Sequence, residues 1–138
     1  MADTLTRNER SERMALIRSK NTGPEITVRK LVHSLGYRYR LHGRLIPGNP
    51  DLVFAGRKKV IFVHGCFWHR HPDSACKLAR MPKSRLEFWG PKLEKNRLRD
   101  QRVSEELAAE GWQSLTIWEC QLADMLAVSE QVRWFLDR

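Results

Sequence analysis

One run of residues limits what this chain can fold into. In Lys59-Val60-Ile61-Phe62-Val63 four apolar residues follow one another, and His64-Gly65-Cys66-Phe67-Trp68-His69-Arg70-His71 comes directly after. A strand with one wet face alternates apolar and polar residues, so an unbroken apolar run reads as a buried strand. Asp51-Leu52-Val53-Phe54, opened by Pro50, reads as a second strand. Ala55-Gly56-Arg57-Lys58 makes a tight connection between the two, and the spacing suits a hairpin. One carboxylate, two or three imidazoles and two large rings would then meet at the ends of adjacent strands.

The flanking segments supply the other elements. Residues 7–18 read as a short basic helix with Met14, Leu16 and Ile17 as its apolar members. Thr22-Gly23-Pro24-Glu25 is a helix start: Thr22 caps, Pro24 suits the first turn, and Glu25 completes a capping box. That helix runs to Leu35, with Gly36 as terminator. Tyr37 to Leu41 reads as a strand and Pro47-Gly48-Asn49-Pro50 as a turn. Residues 64–85 are irregular. A helix covers about Glu87 to Glu110 and ends at Gly111, Gln113 to Trp118 is a strand, and a last helix covers about Leu122 to Leu136. The order ααβββαβα predicts an α/β fold, a mixed sheet flanked by helices. The last strand arrives after a helical crossover and so can pair in parallel. The expectation is one domain over 1–138, with residues 1–20 as a basic arm.

The formal net charge is +9 and unevenly spread. Residues 1–44 hold ten Lys/Arg against four acids, residues 77–102 nine against three, and residues 103–138 two against seven. A polyanion such as nucleic acid would meet the first two regions. No run approaches the roughly 18 apolar residues that span a bilayer, and no apolar signal region opens the chain, so a cytoplasmic protein without a membrane partner is expected. Three cysteines, an odd number, argue for thiols or a metal site over a disulfide framework.

Each candidate residue has a plain alternative. Asp51 can hold a hard cation such as magnesium, which takes oxygen ligands, or can simply cap its own turn. His64 and His69 can move protons near neutral pH, or make structural hydrogen bonds, or bind zinc. Cys66, His71, Cys76 and Cys120 make a closed zinc set of the structural type, or three buried thiols and a histidine. Phe67 and Trp68, being adjacent, cannot both face one core on a regular element. With Trp89 they can wedge between or stack on bases, or anchor a loop. Lys92, Lys95, Arg99 and Arg102 share one stripe of the long helix and can track phosphates. Beside it run Trp89, Leu93, Asn96, Asp100, Val103 and Leu107. Asn96 and Asp100 interrupt that apolar stripe and need partners. A histidine whose tautomer Asp100 fixes would be one.

Taken together the chain resembles the very short patch repair (Vsr) endonucleases. The resemblance rests on Thr22-Gly23-Pro24-Glu25, Pro47-Gly48-Asn49-Pro50-Asp51, Val63-His64-Gly65-Cys66-Phe67-Trp68-His69-Arg70-His71, Pro82-Lys83-Ser84-Arg85, Glu87-Phe88-Trp89, Asn96-Arg97-Leu98-Arg99-Asp100, Gly111-Trp112 and Trp118-Glu119-Cys120. It implies a restriction-endonuclease-like fold, a structural zinc, and magnesium-dependent nicking of one strand of double-stranded DNA beside a T:G mismatch. By position, Asp51 and the backbone carbonyl of Val63 would hold magnesium. His69 would activate water, oriented by Asp100, and His64 would act near the scissile phosphate. Glu25 would be a supporting carboxylate, with Asn96 in the same catalytic group. Cys66, His71, Cys76 and Cys120 would hold zinc. Phe67, Trp68 and Trp89 would enter the base stack, Lys92, Lys95 and Arg99 would contact DNA, and Met14 would reach the other groove.

A monomer on DNA, associated with the nucleoid when bound, is the expectation. Restriction-like nucleases usually carry an acid and a lysine where this chain has Phe62 and His64, a departure the Vsr pattern shares. Family members often have Thr where this chain has Val63, and the step from His71 to Cys76 is longer than usual. Two other functions fit the same residues in part: a nuclease cutting without a mismatch, and a non-catalytic zinc-stabilised sensor of distorted DNA.

Overall fold

The computed structural model describes residues 22–69, 71–72, 76–79 and 86–138. The helix expected over residues 7–18, Met14 included, lies outside them. Helix α1 (Gly23–Ser34) starts where the capping signal puts it: the Thr22 hydroxyl accepts from the Glu25 N–H at 3.3 Å. The capping box is only half made, because the Glu25 carboxylate is taken up by Arg29 and His42. Gly36, at φ 98°, ends the helix as expected.

Strand β1 is shorter than the sequence suggests, pairing only over Arg40–Leu41. Tyr37 and Tyr39 are tied elsewhere, their hydroxyls donating to Asp137 Oδ1 at 2.7 Å and to the Arg29 carbonyl at 3.0 Å. Strands β2 (Leu52–Phe54) and β3 (Lys59–His64) form the expected hairpin, with Lys58 in the left-handed region at φ 57°. Helix α2 (Leu86–Ala109) crosses over to β4 (Gln113–Trp118), which pairs parallel to β3 from Lys59↔Gln113 to His64↔Trp118. The four-stranded mixed sheet has the order β1-β2-β3-β4.

The last helix is also shorter than expected. Residues Glu119–Ala123 form a 3-10 turn in which Gln121 Oε1 accepts from the Trp118 N–H at 2.7 Å. Asp124 then caps Ala127 N at 3.2 Å, so α3 spans Met125–Leu136. Among the described residues no helix is long and apolar enough to cross a membrane.

The continuous apolar run of β3 is explained by two cores. Leu52, Phe54, Ile61 and Ile117 meet Val28 and Val32 of α1 and Val128, Val132, Phe135 and Leu136 of α3. Val53, Val60 and Phe62, on the opposite face, meet Leu107 and Val103 of α2. Leu52, Ile61 and Ile117 are fully buried, and cutting any of them to Ala costs about 2–5 kcal/mol.

Two polar features hold this frame. Gly48 (φ 80°) and Asn49 (φ 47°) turn the chain into Pro50-Asp51, and a Cβ on Gly48 would collide with Val103 of α2. Lys59, which the sequence gives no reason to notice, is buried and donates from Nζ to the carbonyls of Phe135 at 2.6 Å and Arg138 at 3.2 Å. A cation at a helix C-terminus satisfies carbonyls that have no intrahelical partner. Arg57 adds a bond to the Leu136 carbonyl at 2.7 Å.

Candidate active site

Asp51 at the start of β2 and His64 at the end of β3 lie at the same end of the sheet, because the two strands run antiparallel. Beyond the Leu52↔Ile61 pair the β2–β3 ladder stops, and the Val63 N–H donates to Asp51 Oδ2 at 2.7 Å. Burial pushes the Asp51 carboxyl up to about 7; the Val63 bond opposes the rise and the negative charge of Glu25 adds to it. Glu25, almost wholly buried on α1, faces Asp51. Its own burial raises its pKa, but hydrogen bonds with His42, Asp51 and Arg29 together hold it below the usual carboxylate value. The Arg29 guanidinium pairs with Glu25 Oε2, and His42 Nε2 stands 3.0 Å from the same oxygen. Donor atoms of Glu25, His42 and Asp51 all lie within 4.8 Å of one another. Two facing carboxylates, one with its ionisation suppressed, are a donor set that a hard divalent cation fits.

Next to this group stand His64, His69 and Asp100. The two imidazoles stack face to face, centroids 3.8 Å apart and 6° from parallel. Burial first, and the neighbouring His69 second, push His64 down to about 3, so it is neutral at physiological pH. Its Nδ1 is buried and has no hydrogen-bond partner among the described residues. His69 Nδ1 lies 2.6 Å from Asp100 Oδ2. A carboxylate there fixes the proton on Nδ1 and leaves the Nε2 lone pair outward. Asn96 Nδ2, one helical turn before Asp100, donates to the Trp68 carbonyl at 3.2 Å. The two polar residues on the apolar stripe of α2 thus meet the loop that follows β3.

Cys66, His71, Cys76 and Cys120 also gather their donor atoms within 4.8 Å. Cys66 follows β3 and Cys120 follows β4, and the Cys120 N–H donates to Cys66 Sγ at 3.4 Å. His71 stacks on Trp118 at 4.3 Å with Nδ1 3.5 Å from Cys120 Sγ. Burial pushes the Cys66 thiol up to about 12, while hydrogen bonding to His71 draws Cys76 down to about 7. Three sulfurs and one imidazole in this arrangement fit a closed four-coordinate metal site of the zinc type. The longer step from His71 to Cys76 does not keep the fourth donor away.

Phe67, Trp68 and Trp89 form one half-buried cluster of edge-on rings, with centroids 5.2–5.7 Å apart. Lys92 Nζ lies over Trp68 at 5.7 Å and over Trp89 at 6.0 Å. Lys92, Lys95 and Arg99 are exposed on α2. Reading the sequence missed His42 and Arg29. Nothing in Leu41-His42-Gly43 hints at a site, and only the Leu41↔Leu52 pairing brings His42 beside Asp51.

Comparison with known proteins places the chain in a family. The family model for DNA mismatch endonuclease Vsr matches residues 2–76. The chain is 51% identical over 137 residues to the type II nicking enzyme V.XorIIP of Xanthomonas oryzae pv. oryzae, covering 99% of this chain and 98% of that one. It is 39% identical over 122 residues to the DNA mismatch endonuclease Vsr of Escherichia coli, covering 88% and 76%. In fold it is similar to the catalytic domain of the homing endonuclease I-Bth0305I, with a TM-score of 0.56 at 23% identity over 83% of this chain and 94% of that chain. The family model's match to more than half of the chain, with 51% identity to one relative over 99% of it, makes this chain a member of the Vsr family of DNA endonucleases.

Proposed function

We propose that this chain, acting as a monomer, nicks one strand of duplex DNA beside a T:G mismatch. The observation that carries the reading is the succession, at one end of the sheet, of Asp51, the His64–His69–Asp100 group and the three-ring cluster.

Asp51, which accepts from the Val63 N–H, and the Val63 carbonyl would hold magnesium, with Glu25 supporting. When bound, the cation offsets the charge gathering on the phosphate and steadies the leaving oxygen. His69 takes a proton from the attacking water at Nε2, since Nδ1 is engaged by Asp100. The water oxygen bonds to phosphorus as the bond to the leaving oxygen breaks, and Asp100 stabilises the imidazolium that results. His64, neutral, lies near the scissile phosphate and puts no second positive charge against His69. Asn96 fixes the Trp68 carbonyl and with it the ring loop.

Phe67, Trp68 and Trp89 enter the stack as one wedge at the wobble pair, which resists unstacking less than a Watson–Crick pair. Lys92, Lys95 and Arg99 follow the phosphates. Cys66, His71, Cys76 and Cys120 would hold a structural zinc, fastening the loop that carries Phe67 to His69.

Strand-resolved cleavage of a labelled duplex tests the reading. The expected result is a magnesium-dependent nick on the T strand of a T:G duplex, absent in EDTA and absent in Asp51→Ala. Cutting of both strands of matched DNA would overturn it in favour of a restriction-type enzyme. Tight binding without cleavage in any divalent metal would overturn it in favour of a distortion sensor.

A further inference from the structure

His42 has no role in the reading above, yet it is built into the acidic group at two points. Its backbone N–H donates to the carbonyl of Asp51 itself at 3.2 Å, and the Gly43 N–H donates to the Pro50 carbonyl at 3.1 Å. Its Nε2 stands 3.0 Å from Glu25 Oε2. One residue therefore touches both acids, by main chain to one and by side chain to the other. Its backbone is in the left-handed region, at φ 51°, where a non-glycine residue persists only when its surroundings hold it.

The hydrogen-bond roles follow from chemistry. The Arg29 guanidinium can only donate and a carboxylate oxygen accepts, so Glu25 Oε2 takes one bond from Arg29 and a second from an Nε2–H of His42. The nearby Arg29 Nη2, 3.3 Å from His42 Nε2, cannot accept that proton. Two donors on one oxygen fix the rotation of the Glu25 carboxylate and direct the rest of it towards Asp51.

We infer that His42 is a positioning residue for the divalent-cation site, holding the Glu25 carboxylate aimed at Asp51. The inference rests on the assignment of Asp51 as a cation ligand and adds a residue that the sequence reading left out. Groups that orient first ligands commonly change metal affinity by 10- to 100-fold when removed.

The test is Mn2+ binding to the full-length, zinc-loaded protein without DNA, read by the electron paramagnetic resonance of free Mn2+. Wild type, Asp51→Ala, His42→Phe and His42→Gln are compared, with thermal melting as the check on folding. Phe keeps a ring but no donor; Gln keeps a donor near the position of Nε2. The expected result is an affinity loss of about tenfold or more in His42→Phe and within about threefold of wild type in His42→Gln. Weakening in Asp51→Ala with wild-type binding in His42→Phe would overturn the role of His42 and leave the Asp51 assignment standing. Wild-type binding in both would overturn the assignment and the inference together. Equal weakening in His42→Phe and His42→Gln, with unchanged melting, would also overturn the inference, since the donor would not be what matters.

Discussion

The stacked pair His64 and His69 divides its labour through environment. His69 keeps a carboxylate on one nitrogen and has its other nitrogen free for a proton. His64 is buried, stacked and neutral. An unfolded His64 takes up a proton near the ordinary 6.5, whereas the folded one resists it down to about 3. Acidification below 6.5 therefore favours the unfolded chain, and His64 makes the native state lose stability progressively through that window, by at most ~1.4 kcal/mol per pH unit. Urea unfolding at pH 7 and pH 5.5 should show His64→Asn losing about 1 kcal/mol less than wild type between the two. An equal loss in both proteins would mean that the imidazole is protonated in the fold.

Most elements were legible because their signals are local. Thr22 and Gly36 bracket α1, the unbroken run marks β3, Gly111 ends α2, and the span of β4 was read correctly from Gln113 to Trp118. The errors came where a distant partner decides. Tyr37 and Tyr39 look like strand residues but hydrogen-bond to Asp137 and Arg29, and Gln121 and Asp124 reshape what periodicity alone reads as one helix. The Cys and His ligand group was legible as a set, and its geometry came only with the β3–β4 pairing that puts Cys66 beside Cys120. Lys59 is the clearest case of what sequence hides: a cation at the head of an apolar run, tethered to carbonyls 76 and 79 residues away. Lys59→Met should keep the packing of the stem and strand the buried carbonyl of Phe135, costing about 1–3 kcal/mol. Urea unfolding gives the loss, and faster amide exchange over Arg133–Leu136 would locate it. Unchanged exchange there would show that the ammonium is not what holds the end of α3.

At the scale of the molecule, the charge asymmetry now has a shape. The acidic last quarter of the sequence holds β4 and α3, and the basic stripe Lys92, Lys95 and Arg99 lies exposed on α2, the helix that also carries Asn96 and Asp100. Cations that follow phosphates release counterions, so each one neutralised steepens the salt dependence of binding by about 0.9 in the log–log slope. Replacing all three by Ala should therefore flatten the slope by roughly 3, measured by fluorescence anisotropy on a mismatched duplex at several salt concentrations. A slope that does not change would move the DNA path off this helix.

The tether from Lys59 also sets an order of events during synthesis. Strand β3 leaves the ribosome long before residues 135–138 do, and until they emerge its ammonium has none of the acceptors that permit burial in the sheet. The strand that presents His64 gains these polar partners only when residues 135–138 have arrived. A ribosome-bound fragment that stops short of them carries His64 on a strand whose Lys59 is still unpaired, and the last turn of α3 supplies the missing acceptors as it closes over that ammonium.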